Sequence, residues 1–173
     1  MKTRKEPIII CGFPGVGKTV CARNCNTVSD FDSSQFHYKS DGNGGFISVA
    51  EVEWIRNYVD AIQELRKNSD VDYILVSCHK KLREKLHDKR IPFIVVAPER
   101  GLRNEYMKRY FRRGDSVEFM EKVGKNWATW LTEIGEEPEV KIYLESNEYL
   151  YSLMPIIPNY DETLNMFKEY LNR

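Results

Sequence analysis

The residues from Gly12 to Thr19, GFPGVGKT, have the types and spacing of a phosphate-binding loop. They satisfy the pattern G-x-x-x-x-G-K-[ST], and they stand between an apolar run that predicts a strand and a run that predicts a helix. Three glycines let backbone N–H groups turn inward around phosphate oxygens, and the following helix adds its own N–H groups and positive dipole end. The stretch therefore predicts a site for a nucleoside triphosphate.

Side chains in this loop are expected to divide between phosphate and metal. Lys18 should reach the outer phosphates, and the hydroxyl of Thr19 should bind Mg²⁺. The N-K-x-D box by which GTPases select guanine is absent from the sequence, which argues against a GTPase switch. The expected cofactors are ATP and Mg²⁺, and the sequence leaves GTP open as an alternative donor. The residues predicted to contact the nucleotide are Gly12, Pro14, Gly15, Val16, Gly17, Lys18, Thr19 and Val20.

Two acids lie in the stretch SDFDSS, at the end of a candidate strand. Ligands of open α/β sheets bind beyond the carboxyl ends of the strands, so Asp30 and Asp32 are expected to face the phosphate loop. A carboxylate there can orient a nucleophile or stabilise a metal. Alternatively these acids and Ser33 cap the next helix, and one acid can cap while the other acts.

A second polar segment, ERGLRNEYMKRYFRRG from Glu99 to Gly114, is rich in arginine. The planar guanidinium binds phosphate oxygens in pairs and stays charged. Arg109 and Arg113 are one helical turn apart and are the favoured pair. The alternative is a solvated helix face whose core side carries, as a group, Tyr106, Met107, Tyr110 and Phe111.

These groups must be positioned by strands and helices. Short apolar runs rich in β-branched residues predict buried strands at Pro7–Cys11, Val71–Cys78, Pro92–Ala97 and Val140–Leu144, with a weaker fifth at Asn26–Phe31. Strands that alternate with helices call for a parallel sheet covered on both faces. The predicted fold class is α/β, a P-loop NTPase fold with a five-stranded, mostly parallel sheet.

Helical periodicity fills the gaps between the strands. The first long helix is predicted from the stripe Val52, Ile55, Val59, Ile62 and Leu65, opened by a capping box of Ser48 and Glu51. Further helices are predicted at 79–87, at 102–113 before Gly114, from Asp115 with Trp127 and Trp130 in its buried stripe, at Ser146, and from Asp161.

Two further segments are candidates to contact an acceptor or a nucleobase. The glycine-rich stretch Ser40–Gly45 predicts a mobile loop. Phe36, His37 and Tyr38 precede it and are candidates to hold a nucleobase. His79, Lys80 and Lys81 follow the third strand on the same side of the sheet, where they either meet an acceptor or simply begin an exposed helix.

Composition excludes several classes of protein. Twenty-six basic residues balance twenty-six acidic ones, so no overall field draws the chain to nucleic acid or to a membrane. No apolar run approaches the roughly 20 residues that span a bilayer. The four cysteines lack a zinc spacing and are expected to be reduced structural thiols. We expect one cytoplasmic domain over residues 1–173.

The combination GFPGVGK, D-x-D-S-S-x-F and R-x3-R-G resembles a group of small P-loop kinases of bacteriophages. The group is usually labelled deoxynucleoside monophosphate kinase or adenylate kinase-like. The resemblance implies that Asp32 first and Asp30 second accept the proton of the attacking hydroxyl or hold the metal's waters, so Thr19 and Asp32 are the implied Mg²⁺ residues. It also implies that residues 99–114 form a lid, with Arg109 and Arg113 on the transferring phosphate.

The resemblance leaves the acceptor open. A (deoxy)nucleoside monophosphate is the first expectation, in a bacterial host cell if the chain is phage-encoded. A related branch phosphorylates 5-hydroxymethyluracil in phage DNA, and the stretch from Lys80 to Arg90 could form a basic stripe for it. Two readings outside this class are an ATP-binding module without turnover and an NTP hydrolase, since a phosphate loop serves all of them.

Overall fold

The computed structural model describes residues 6–154, and these form an α/β fold around one parallel sheet. In chain order the elements are β1 Ile8–Gly12, α1 Lys18–Asn24, β2 Val28–Asp30, β3 Tyr38–Ser40, β4 Phe46–Ser48, α2 Glu51–Asn68, β5 Tyr73–Ser77, α3 Lys80–Asp88, β6 Phe93–Pro98, α4 Arg103–Arg113, α5 Val117–Glu136, β7 Lys141–Leu144 and α6 Leu150–Leu153. Two short 3-10 helices, Ser34–Phe36 and Arg100–Leu102, complete the list.

The main sheet has the strand order β2-β5-β1-β6-β7, and each neighbouring pair is parallel. This confirms the five predicted strands and their parallel arrangement. All five residues of the central strand β1 are buried, because it has a strand on either side and consists of apolar residues up to its last glycine. The chain leaves β1 toward β2 and β5 on one side and reaches β6 on the other, so the crevice for a ligand opens at the carboxyl end of β1.

The first long helix differs from its prediction at its start. Helix α2 begins at Glu51 with Ala50 as its N-cap, and no side chain caps it. The predicted capping box is wrong because Ser48 belongs to strand β4. Val52 is 76% exposed, since the helix is covered only from Trp54 onward.

The stretch predicted as a mobile loop is the turn of an antiparallel hairpin made by β3 and β4. The carboxylate of Asp41 accepts hydrogen bonds from the N–H groups of Asn43 (2.8 Å) and Gly45 (2.9 Å). Gly42 and Gly44 have positive φ, which suits glycine in so tight a reversal. The turn is therefore ordered by its own side chain and its glycines.

Helices α4 and α5 pack against each other and are separated by a short turn. Helix α4 ends at Gly114 in the left-handed conformation, as predicted. The next helix is capped by Ser116, whose hydroxyl accepts the N–H of Phe119, whereas the predicted cap Asp115 pairs with Arg113 instead.

The remaining predictions for helices have mixed outcomes. The buried stripe of α5 includes Trp127, and Trp130 is partly buried against the same core, which confirms both as core residues. The last described helix, α6, is capped by Tyr149 rather than begun at Ser146. The helix predicted from Asp161 lies outside the described residues. Within residues 6–154, no helix is long and apolar enough to cross a bilayer.

Candidate functional site

The phosphate loop joins β1 to α1 and depends on two glycines in the left-handed region. Gly15 has φ 85° and Gly17 has φ 91°. A Cβ on Gly15 would lie 2.8 Å from the ring of Tyr110, and one on Gly17 would lie 3.2 Å from the ring of Tyr149. Both conformation and packing therefore require glycine at these two positions.

Lys18 opens α1 and points back across the loop. Its Nζ donates a hydrogen bond to the carbonyl oxygen of Gly12 at 2.9 Å. Burial lowers the pKa of Lys18, while the nearby carboxylates of Asp30 and Asp32 act in the opposite direction. A partly desolvated cation beside the loop carbonyls is well placed to pair with a phosphate oxygen.

The two acids take different positions at the carboxyl end of β2. The hydroxyl of Thr19 donates to Oδ2 of Asp30 at 2.8 Å, and Oδ1 of Asp30 is buried without a hydrogen-bond partner in the described chain. Oδ1 of Asp32 accepts the backbone N–H of Ser34 at 2.6 Å, which stabilises the start of the 3-10 helix. Asp32 thus binds the first N–H of the 3-10 helix, whose N-cap is Ser33, and Asp30 is the acid beside the Thr19 hydroxyl that is predicted to bind Mg²⁺.

The oxygen atoms here fit Mg²⁺. Thr19 and Asp30 supply a hydroxyl and a carboxylate with an unpartnered buried oxygen, and Asp32 lies in the same cavity. Mg²⁺ is commonly bound by one or two carboxylates together with substrate phosphates and water. No group of three or more His, Cys, Asp or Glu side chains forms a metal cage within the described residues. A magnesium ion shared with phosphate matches this donor set.

The ionisation of Asp32 is set by its neighbours. Burial raises the pKa of this carboxyl, but hydrogen bonds from the hydroxyl and N–H of Ser34, with the charges of Lys18 and His37, lower it by more. The pKa of Asp32 therefore lies below its ordinary value. At neutral pH the group is a carboxylate able to accept a proton or a hydrogen bond.

Arg109 and Arg113 of α4 line the cavity beside the phosphate loop but differ in burial and partners. Arg109 has a side chain only 9% exposed, and its Nη1 donates to the carbonyl oxygen of Gly15 at 3.2 Å. Arg113 is 52% exposed and pairs with Asp115 through two hydrogen bonds. Both line the cavity, together with the exposed Arg112. The core side of α4 is made by Tyr106 and Tyr110, whereas Phe111, predicted for it, is 75% exposed.

These groups surround one cavity of about 800 Å³ at the carboxyl edge of the sheet. Its lining includes the predicted nucleotide contacts except Val16, whose side chain is fully buried. Further lining residues that sequence reasoning did not assign to the site are Ser33, Ser77, Cys78, Phe119 and Tyr149. Ser77 is the last residue of β5, the strand beside β1, and Cys78 follows it. Because ligands of open α/β sheets bind beyond the carboxyl ends of the strands, the sequence could have predicted both residues as part of the site. No sequence pattern around Tyr149 predicts a place in the site, because only the packing of its loop brings it to Gly17.

The three residues that the sequence suggested for holding a nucleobase lie apart from the cavity. Phe36 packs on Phe31 and Tyr58 with ring centroids 5.8 and 5.0 Å apart, and His37 lies 4.4 Å from the ring of Trp54. Tyr38 is 60% exposed in the hairpin. None of Phe36, His37 and Tyr38 lines the cavity.

The basic stretch on and after α3 is largely paired with acids. Lys80 contacts Glu133, Lys81 and His79 contact Glu51, Arg83 contacts Glu137, and Lys89 contacts Asp60. Arg83 is only 3% exposed and also donates to the carbonyl of Cys78. Most of the predicted stripe is therefore neutralised by acids of α2 and α5 and by Glu137, the C-cap of α5.

Comparison with known proteins bears on the fold. No protein-family model and no curated protein matches the sequence. Among solved structures, the Deinococcus radiodurans tunicamycin resistance protein is similar with a TM-score of 0.58 and 18% identity, over 94% of this chain and 95% of that chain. A gluconokinase from Sinorhizobium meliloti 1021 has a TM-score of 0.49 and 17% identity, over 98% and 97% of the two chains. The chain has an α/β fold with a five-stranded parallel sheet, and its phosphate loop lies between β1 and α1.

Proposed function

We propose that the protein transfers the γ-phosphoryl group of ATP to a small nucleotide-type acceptor, a (deoxy)nucleoside monophosphate being the expected one. One observation carries this proposal. One cavity is lined by all the groups that this reaction needs: the phosphate loop with its lysine, the Thr19–Asp30 pair suited to Mg²⁺, the carboxylate of Asp32 and three arginines of α4. Phosphoryl transfer requires positioning and charge stabilisation, and these are the groups that supply both.

The proposed roles follow from position. Lys18 and the loop N–H groups bind the β- and γ-phosphates, and Arg113 neutralises charge on the transferring group from the other side. Thr19 and Asp30 would hold Mg²⁺, which supplies charge neutralisation on the phosphate oxygens when bound. Asp32 is ionised and is proposed to orient the acceptor, since the attacking atom of a monophosphate is a phosphate oxygen with no proton to remove.

The pairing of the basic stretch supports a small acceptor over duplex DNA. Affinity for DNA comes largely from cations that neutralise phosphates, and here Lys80, Lys81 and Arg83 of α3 already have acidic partners. An 800 Å³ cavity suits a nucleotide-sized ligand. DNA containing 5-hydroxymethyluracil therefore enters as an arm of the test.

The test is transfer of label from γ-labelled ATP with Mg²⁺. Acceptors are nucleosides, deoxynucleoside monophosphates, tunicamycin, and DNA with or without 5-hydroxymethyluracil; Lys18→Ala is the control. Label on a free nucleotide that disappears in Lys18→Ala is the expected result. Label on modified DNA alone would replace the proposal with a DNA kinase. Phosphate release that needs no acceptor would replace it with an NTP hydrolase, and ATP binding with no turnover would replace it with a binding module.

A further inference from the structure

One carboxylate, that of Glu105 in α4, holds two separate segments of the site. Its oxygens accept hydrogen bonds from Nη2 of Arg109 at 2.5 Å, from the hydroxyl of Ser146 at 2.8 Å and from the N–H of Asn147 at 3.0 Å. The latter two residues belong to the loop between β7 and α6. Burial raises the pKa of Glu105, but these three hydrogen bonds lower it below its ordinary value, so the group stays ionised at neutral pH.

Arg109 extends this contact to the phosphate loop. Its Nη1 donates to the Gly15 carbonyl at 3.2 Å, and its Nη2 donates to the Glu148 carbonyl at 3.0 Å. The guanidinium carbon lies 4.4 Å from the ring centroid of Tyr106 and 3.9 Å from that of Tyr149. A guanidinium held by carbonyls and by two rings is fixed in place, which differs from a lid arginine that swings onto substrate.

The loop held by Glu105 also contacts the phosphate loop directly. The N–H of Leu150 donates to the carbonyl of Val16 at 2.8 Å, and the ring of Tyr149 lies against Gly17. Asn147 has φ 61°, an uncommon conformation for a residue other than glycine. Its N–H bond to Glu105 stabilises that conformation and with it the approach of Tyr149 and Leu150.

We propose that Glu105 is a positioning residue for ATP, acting through Arg109 on the phosphate loop and through Ser146 and Asn147 on the loop of residues 145–149. The inference rests on the proposed function for its ligand. The carboxylate orients the guanidinium, the guanidinium fixes the Gly15 carbonyl, and the opposite peptide N–H groups of the loop then face the phosphates. Without the charge of Glu105, Arg109 loses its ionic partner and both loops gain freedom.

The test compares Glu105→Gln, which keeps the shape and removes the charge, with Glu136→Gln at an exposed carboxylate in the last turn of α5. Two quantities are measured: the affinity for a fluorescent ATP analogue, and amide hydrogen exchange along the chain. Glu105→Gln should weaken ATP binding about tenfold, the size expected for losing one charge-assisted hydrogen bond. Exchange should rise at residues 13–17 and 145–150 and stay unchanged in the strands. Glu136→Gln should match the unaltered chain in both measurements.

A second variant tests whether Glu105 acts on ATP binding through Arg109. Arg109→Lys keeps the charge and loses the two-pronged donor, so it should weaken ATP binding in the same direction. The double variant should bind no more weakly than the weaker single one, because both act on one path. Unchanged ATP affinity in Glu105→Gln, or exchange that rises evenly over the whole chain, would overturn the inference. Neither measurement needs phosphoryl transfer, so a chain that binds ATP but transfers nothing refutes only the proposed function.

Discussion

Two tyrosines of α4 provide a matched test of how the phosphate loop is held from behind. Tyr106 and Tyr110 lie one helical turn apart, and both are fully buried. The hydroxyl of Tyr110 donates to the carbonyl oxygen of Pro14 at 2.7 Å. The hydroxyl of Tyr106 is buried and has no hydrogen-bond partner among the described residues. Replacing each by phenylalanine removes one oxygen at equal burial, so the difference isolates the hydrogen bond to the loop.

Only the Tyr110 variant is expected to lose stability. Tyr110→Phe leaves the half-buried carbonyl of Pro14 without its donor, which should lower the free energy of unfolding by about 1–2 kcal/mol. For a chain of this size the melting temperature should fall by roughly 2–8 °C. Tyr106→Phe removes a buried hydroxyl without a partner, so the free energy of unfolding should stay the same or rise by up to about 2 kcal/mol.

Urea unfolding followed by tryptophan fluorescence gives both free energies, and titration with an ATP analogue gives the effect on the site. We expect weaker ATP binding in Tyr110→Phe, because Pro14 and Gly15 lose a fixed contact, and no loss of binding in Tyr106→Phe. Equal destabilisation of the two variants would refute the reasoning, since the bond to Pro14 would then contribute nothing measurable.

The remaining predictions concern the charged groups. Lys18→Ala should abolish transfer without unfolding the protein, as measured by label transfer and circular dichroism, and residual turnover would remove Lys18 from its role. Asp30→Asn should raise the Mg²⁺ concentration needed for half-maximal turnover. Asp32→Asn should lower turnover by a factor that stays the same from about pH 6 to about pH 8, because the pKa of Asp32 lies below its ordinary value and the group is ionised throughout that range. A pH-rate comparison that shows the factor shrinking toward acid would contradict the assignment. Arg83→Met should destabilise the fold by about 3–5 kcal/mol because it leaves a carboxylate unpaired, and Lys80→Met, at an exposed pair, by no more than about 1 kcal/mol in the same urea assay.

Local sequence accounts for the strands and the phosphate loop because their signals are short in range. Apolar runs such as that of β5 bury both faces wherever they lie in a parallel sheet. The glycine-lysine spacing works between any strand and helix. Gly114 ends α4 for a reason that depends only on its own φ. Predictions that depended on one neighbouring turn failed more easily, as at Ser48, which pairs in a hairpin instead of capping α2.

The division between the acids could not be read from the stretch SDFDSS. Both Asp30 and Asp32 follow the same strand, and either could face Thr19 until the chain direction after β2 is known. The 3-10 helix at Ser34 draws Asp32 to a backbone N–H, which leaves Asp30 beside the Thr19 hydroxyl. The choice is made by the turn of the backbone, since the two residue types are identical.

The sequence by itself determined the kind of site and the sheet that carries it, because backbone conformation in a glycine loop and burial of apolar strands are local properties. Tertiary structure alone decided which charges remain available. Arg109 is held between Gly15, Glu105 and the loop that carries Tyr149, and Lys80 and Lys81 of α3 meet acids of α5 and α2. The Gly15 carbonyl lies 94 positions from Arg109, and the acids that pair with Lys80 and Lys81 lie 53 and 30 positions away, so only folding brings these groups to within hydrogen-bond distance.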